Sequence, residues 1–336
     1  MKNNFLDGLK KSTKSNLITL AMCFAFFAVV TAMIMTGSAS RHMKSLLVPI
    51  CVNIILTVSL NLVIGFLGEL SLGHAGFMSV GAYAGCIFSI YLKELIPAAL
   101  RFPLAILFGG ICAAIFGFLV GIPVLRLKGD YLAIVTLAFG EILRSVIINV
   151  EFLGGASGLK GTPQDATFNW GFIWVIITLV MLMNLVDSKH GRAIMALRDN
   201  TIAASAVGIN TNKYKLIVFT VSAFFAGVAG VIYGHNYSIL TAGSFDYNRS
   251  IEILVMVVLG GIGNIRGSVI SATLITILPE MLRGLRDYRM LIYSVVLITM
   301  MLLGTSEKFM LLRYKLSPKK LMKRAKAEVE LRKEEN

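Results

Sequence analysis

Three polar stretches interrupt a chain that is otherwise mostly apolar, and each holds residue types able to do chemistry. GELSLGHAGFMSVGAYAG, Gly68 to Gly85, carries Glu69, Ser71 and His74 among five glycines. A carboxylate, a hydroxyl and an imidazole there can bond a polar solute or one another. FGEILR sets Glu141 and Arg144 three residues apart, on one helix face, where they can pair. Charges within an apolar run are costly and face protein or water. The pair therefore reads either as a structural ion pair or as part of a pathway or gate. The third stretch is DSKHGRAIMALRDNTIAASAVGINTNKY, Asp187 to Tyr214. Asp199 or Asn200 can cap a helix running to Val207, and Gly208 can stop it. Two turns are too short to be stable alone, so this helix wants a partner surface. Ile202, Ala203, Ala206 and Val207 offer it an apolar side; Arg192, Arg198 and Asp199 offer charge. The plainer reading is a solvated loop with a frayed helix.

The residues argue against catalysis and metal binding. No H-E-x-x-H, G-x-S-x-G or calcium-loop pattern occurs, and the four histidines are scattered. GGIGNIRG, Gly260 to Gly267, lacks the G-K-[ST] ending of a phosphate loop. His74 by itself reads as a hydrogen-bonded structural histidine. Cys23, Cys51, Cys86 and Cys112 lie in apolar runs with no C-x-x-C pair. They read as small packing residues, not as a disulfide framework.

The elements that must position these residues are membrane spans. Of 336 residues, 56% are hydrophobic and 15% charged, against about 25% charged in a soluble domain. The class is an all-α polytopic membrane protein of about eight to ten transmembrane helices, with one or two broken or re-entrant segments. The first span is expected near 17–36, after a basic cytoplasmic N-terminus over 1–16. A transmembrane domain over 17–305 contains the polar insert 187–214, and a basic cytoplasmic tail fills 306–336. SAS at Ser38 to Ser40 faintly resembles a cleavage site, but the run before it is long for a signal peptide. With both termini inside, 22 Lys and Arg fall on the inner side and nine on the outer, the expected bias. The net charge of +14 reads as topology and attraction to anionic lipid, and no motif points to nucleic acid. Gly68–Gly85 is either a re-entrant helix or a cytoplasmic turn between two spans. It and GGIGNIRG, one in each half, hint at a distant repeat around a pathway. Gly109, Ala113, Gly117 and Gly121, and likewise Ala226, Gly230 and Gly234, recur every four residues. That spacing suits close helix contact in lipid.

Taken in order, LNLVIGFLGELSLGHAGFMSVGAYAG, LRLKGDYLAIVTLAFGEILR, GGASGLKGTP, GRAIMALRDNTIAASAVGINTNKYKLIVFTVSAFFAGVAGVIYG and LVMVVLGGIGNIRGSVISA resemble the permeases of branched-chain amino-acid ABC importers, M-type subunit. The resemblance covers roughly 45–305. It implies a multi-pass subunit of the bacterial inner membrane, paired with an H-type permease. Two cytoplasmic ATPase subunits would hold ATP and magnesium, and a periplasmic or lipid-anchored binding protein would deliver leucine, isoleucine or valine. This chain would bind no cofactor and hydrolyse nothing. Arg198, Asp199, Asn200, Ala203, Ala204 and Gly208 would couple it to the ATPases, although Ile202 stands where the family-wide coupling pattern often has Glu. Glu69, Ser71, His74 and Glu141 are the candidate pathway residues. Urea, amide or other amino-acid importers of the same build remain alternatives, as does a secondary transporter.

Overall fold

The computed structural model describes residues 11–36, 41–124, 127, 129–282 and the four residues 294, 295, 298 and 299. The chain divides into two units, residues 1–277 and 278–336. The first unit holds every element discussed below up to Ile277. In the second, the described residues are the end of α11 and four helical positions. The expected last span near 288–304 and the basic tail lie outside the described residues, apart from those four.

Helices account for nearly all of the first unit. They are α1 (Lys11–Met35), α2 (Arg41–Asn61), α3 (His74–Tyr91), α4 (Ala98–Val124), α5 (Asp130–Asn149), α6 (Phe168–Asp187), α7 (Lys189–Asp199), α8 (Thr201–Ala206), α9 (Thr211–Gly234), α10 (Tyr247–Gly260) and α11 (Ile265–Met281). Among the described residues, five helical runs are long and apolar enough to cross a membrane: Met43–Leu67, α4, α5, α6 and α9. The fold is thus all-α and polytopic. Helix α1 begins at Lys11, six residues ahead of the expected first span.

The core is built on glycine. Helices α3, α4 and α9 share the most extensive packing. On α3, Gly81 and Gly85 face Gly227 and Val231 of α9, so residue numbers rise together and the two helices run parallel. On α4, Gly109 faces Val231 while Gly117 faces Ala223, so α4 runs antiparallel to α9. The three helices meet where Gly81, Gly109 and Gly227 touch backbone to backbone. A Cβ on Gly109 would lie 2.6 Å from the Gly81 oxygen, and one on Gly227 would lie 2.9 Å from the Gly109 oxygen. The four-residue ladders expected from sequence are these contact lines, and Gly109, Ala113, Gly117 and Gly121 are all buried. Close approach of backbones is the packing force available where surrounding lipid is as apolar as the helices.

Helix α2 does not end as an ordinary helix. It widens into a π-turn, Leu62–Leu67, and stops at Gly68, whose φ of 82° is left-handed. Residues 68–73 are non-helical, and α3 starts at His74. At the other end of the bundle the connections 151–167 and 235–246 are joined by a short antiparallel pair. Strand β1 (Leu159–Lys160) lies beside β2 (Ile239–Leu240), with Leu159 opposite Leu240. Tyr83 Oη donates to the Leu240 oxygen at 3.1 Å, anchoring the pair to α3. Cys23, Cys51 and Cys86 are buried, and all four cysteines are free thiols.

Candidate functional site

The polar insert folds into two capped helices. Ser188 ends α6 and caps α7, its hydroxyl accepting from the N–H groups of His190 and Gly191 at 3.1 and 3.2 Å. That satisfies two of the donors a helix start leaves open. Helix α7 buries Gly191, Ile194 and Leu197, one residue per turn on a single side. Asn200 then caps α8, its Oδ1 accepting from Ile202 and Ala203 N–H at 3.0 Å each. Gly208, at φ 88°, takes the left-handed turn that closes α8. Asn210 caps α9 through the N–H of Lys213. Ala204 is buried, whereas Ala203 and Asp199 are exposed. Ile202 and Val207 are 82% and 77% exposed, so the short helix turns two large apolar side chains outward.

Arg198, in the last turn of α7, joins the insert to the bundle. Its Nη1 donates to the Gly65 oxygen, inside the π-turn, at 3.0 Å. Its Nε and Nη2 reach Asp199 Oδ1 at 3.2 and 3.1 Å. Gly68 leaves room for this side chain, since a Cβ there would lie 2.7 Å from Arg198 Cγ. GGIGNIRG meets the same turn at Gly65. Gly263 N–H donates to Asn61 Oδ1 at 2.9 Å, and Asn61 Nδ2 donates to Ser268 Oγ at 2.9 Å. Gly263, at φ 76°, sits so close that a Cβ would be 3.3 Å from the Gly65 oxygen and 3.7 Å from Arg198 Nη1. The two glycine-rich breaks and the insert therefore meet at one point. A widened turn of helix, freed of side chains, leaves a carbonyl there for an arginine from another segment.

The remaining sequence candidates fall into two groups. Glu69 pairs with Lys215, just past the first turn of α9; Lys215 is buried and Glu69 mostly so. Ser71 and His74 are each 2% exposed, and His74 Nε2 bonds Ser59 Oγ at 2.9 Å. Leu72 N–H donates to Thr136 Oγ1 on α5 at 3.0 Å. Residues 68–73 are thus a closed turn pinned between α5, α7 and α9. Glu141 is different. Its Oε2 accepts from Arg144 Nε at 2.8 Å and its Oε1 from Tyr247 N–H at 3.1 Å. The two side chains remain 29% and 34% exposed.

Sequence reasoning missed the long-range pairings. Arg101, counted with the outer loops, is a buried residue of α4 bonded to Asp165 at 2.6 Å. Arg249, counted likewise, lies on α10 and bonds both Glu252 and Asn53. Lys215, counted inside, belongs to the Glu69 pair. The signal available was their opposite charges within apolar flanks, which does not say which partner each takes.

Helices long and apolar enough to cross a membrane, packed through glycine around capped polar turns, define a multi-pass all-α membrane protein. The family model described as "Branched-chain amino acid transport system / permease component" matches residues 42–305, and the chain belongs to that family. It is 34% identical over 74% of its length to the high-affinity branched-chain amino acid transport system permease protein LivM of Escherichia coli K12. It is 32% identical over 83% to the LivM protein of Salmonella typhimurium, and 30% over 76% to the ribose import permease RbsC of Haemophilus influenzae. The chain spans 65% of the first of these relatives, 72% of the second and 84% of the third. No solved structure matches.

Proposed function

We propose that this chain is the M-type half of an ATP-driven, binding-protein-dependent importer of leucine, isoleucine and valine in a bacterial inner membrane. Two features support the substrate class: the family, and the branched-chain amino acid transport system for which the LivM relatives are named. The observation that carries the mechanism is the insert. A two-turn helix too short to persist alone is capped at both ends and turns Ile202 and Val207 outward. It continues a helix wired through Arg198 to both glycine-rich breaks. Such a surface suits a groove on a cytoplasmic ATPase, with Arg198, Asp199, Asn200, Ala203, Ala204 and Gly208 forming or shaping the contact. Both termini then lie in the cytoplasm.

In this reading, ATP and magnesium act in two partner subunits, and an H-type permease supplies the other half of the pathway. ATP binding draws the ATPases together and moves α7 and α8. Arg198 passes that movement to the π-turn of α2 and to the α10–α11 turn. The spans then open to the binding protein, and hydrolysis resets them. This chain's residues bind and transmit; they break no bond.

The test is to purify the chain with its neighbouring subunits and assay uptake in vesicles. ATPase subunits should co-purify, and Asn200→Lys combined with Gly208→Trp should abolish uptake. An uncoupled chain with no ATPase attached, together with intact uptake in that double variant, overturns the proposal. The ligand retained by the cognate binding protein identifies the substrate.

A further inference from the structure

Helices α4 and α5 each leave one face uncovered within this chain, and the two faces differ in kind. The open face of α4 is apolar along its length, with Leu104, Phe108, Ile111, Ile115, Leu119 and Ile122 exposed. That is the surface lipid accepts. Helix α5 has only 22% of its span buried, against 94% for the run Met43–Leu67. Its open face is apolar in the first half, where Tyr131, Ile134 and Val135 lie exposed. The second half is mixed: Ile142, Ser145, Val146 and Asn149 are exposed, and the charged pair Glu141 and Arg144 is partly exposed among them. At 1.5 Å per residue, Glu141 lies about 17 Å from the start of α5 and about 12 Å from its end. Charges at such a depth belong against water or protein, not against acyl chains.

A second element reaches the same level. Helix α10 has 14 residues, about 21 Å of helix, too short to span. Its first turn meets Glu141 through Tyr247 N–H. Tyr247 and Asn248 are exposed there, and Asn248 Nδ2 donates to the capping Asp246 at 2.8 Å. Both oxygens of Glu141 are engaged, one by Arg144 Nε and one by Tyr247. Arg144 makes its described hydrogen bond through Nε, and among the described residues no bond uses its terminal nitrogens. A planar guanidinium with free terminal donors matches a carboxylate.

We propose that this half of α5, with the first turn of α10, lines a water-filled vestibule from the outer surface to mid-membrane, where Arg144 receives the carboxylate of the passing amino acid. The proposal rests on the importer reading above. It makes Arg144 a binding residue and Glu141 the group that orients it.

The experiment uses the whole complex, with its ATPases and binding protein, in proteoliposomes. A membrane-impermeant, positively charged thiosulfonate should label Ser145→Cys above the background of the unsubstituted chain and block uptake. The same reagent should not label Ile115→Cys on α4. Arg144→Gln should slow uptake about tenfold, the scale of one charge-assisted hydrogen bond, while ATP hydrolysis stimulated by the loaded binding protein is kept. Arg144→Lys should recover part of the loss. Unchanged uptake in Arg144→Gln overturns the carboxylate role. A Ser145→Cys thiol that reacts only with a lipid-soluble maleimide overturns the vestibule. If Arg144→Gln fails to assemble, the labelling of Ser145→Cys decides alone. Absence of stimulated hydrolysis in the unsubstituted complex would instead count against the importer reading.

Discussion

Arg198 holds three segments that are far apart in sequence, and its loss should be felt as lost transmission. The guanidinium bonds the Gly65 oxygen, packs over Gly68 and lies beside Gly263. Arg198→Ala removes the cation but leaves the caps at Ser188 and Asn200 in place. Basal ATP hydrolysis should therefore persist, while the amount imported per ATP falls about tenfold, the worth of one hydrogen bond to a charged group. Parallel assays of uptake and hydrolysis check this; equal loss of both would mean that Arg198 merely holds the fold. Glu69 and Lys215 give the opposite expectation. Lys215 is buried and Glu69 mostly so, at 5% and 13% exposure, so Glu69→Gln strands a cation. Removing one member of a buried pair costs about 3–5 kcal/mol. The detergent-solubilised chain should melt markedly lower, and adding Lys215→Met should restore much of the loss. A double variant no more stable than the single one would refute that account.

At the scale of elements, the helices were legible in the sequence, and so were their breaks. Asn200, Gly208 and the polar run around them announced a capped short helix, because caps are local chemistry. The glycine ladders announced close packing, but not that α3 would join α4 and α9 at one triple contact. The Gly68–Gly85 stretch left two readings open, and the structure makes its start, residues 68–73, a closed turn between α2 and α3. The choice depends on Lys215 and Thr136, which are 146 and 64 residues away from their partners. Arg101 and Arg249 reach Asp165 and Asn53, 64 and 196 residues away, and a partner across the bundle leaves no periodic trace. The triple contact is itself testable. In Gly227→Val the new Cβ would meet the Ala113 side chain and sit 2.9 Å from the Gly109 oxygen. Backbone cannot swing aside as a side chain can, so the cost should exceed the roughly 1–3 kcal/mol typical of overpacking. The yield of monodisperse protein should collapse for Gly227→Val. At Gly243, where nothing lies within 4 Å and no unusual φ is required, substitution with Ala should leave the yield unchanged.

For the whole molecule, the question is which end faces the cytoplasm. Because α9 runs parallel to α3 and antiparallel to α4, the residue 68–73 turn and the insert share one end of the first unit. The β1–β2 pair and the connection 151–167 occupy the other. The insert end carries Lys189, Arg192, Arg198 and Lys213, and short basic connections are retained on the cytoplasmic side. Lys215 is paired with Glu69 and Arg101 with Asp165, which takes one basic residue from each side of the count. Ser205, on α8, and Ser157, at the opposite end, are both exposed and make convenient reporters. Cysteine at Ser157 should react with an impermeant thiol reagent added to intact cells. Cysteine at Ser205 should react only after the membrane is opened, and more slowly once ATPase subunits are bound, because Ile202 and Val207 beside it would then be covered. Labelling of Ser205→Cys in intact cells would invert the topology and detach α8 from any ATP-driven motor. Labelling that is indifferent to the ATPases would keep the topology and move the contact elsewhere on the insert.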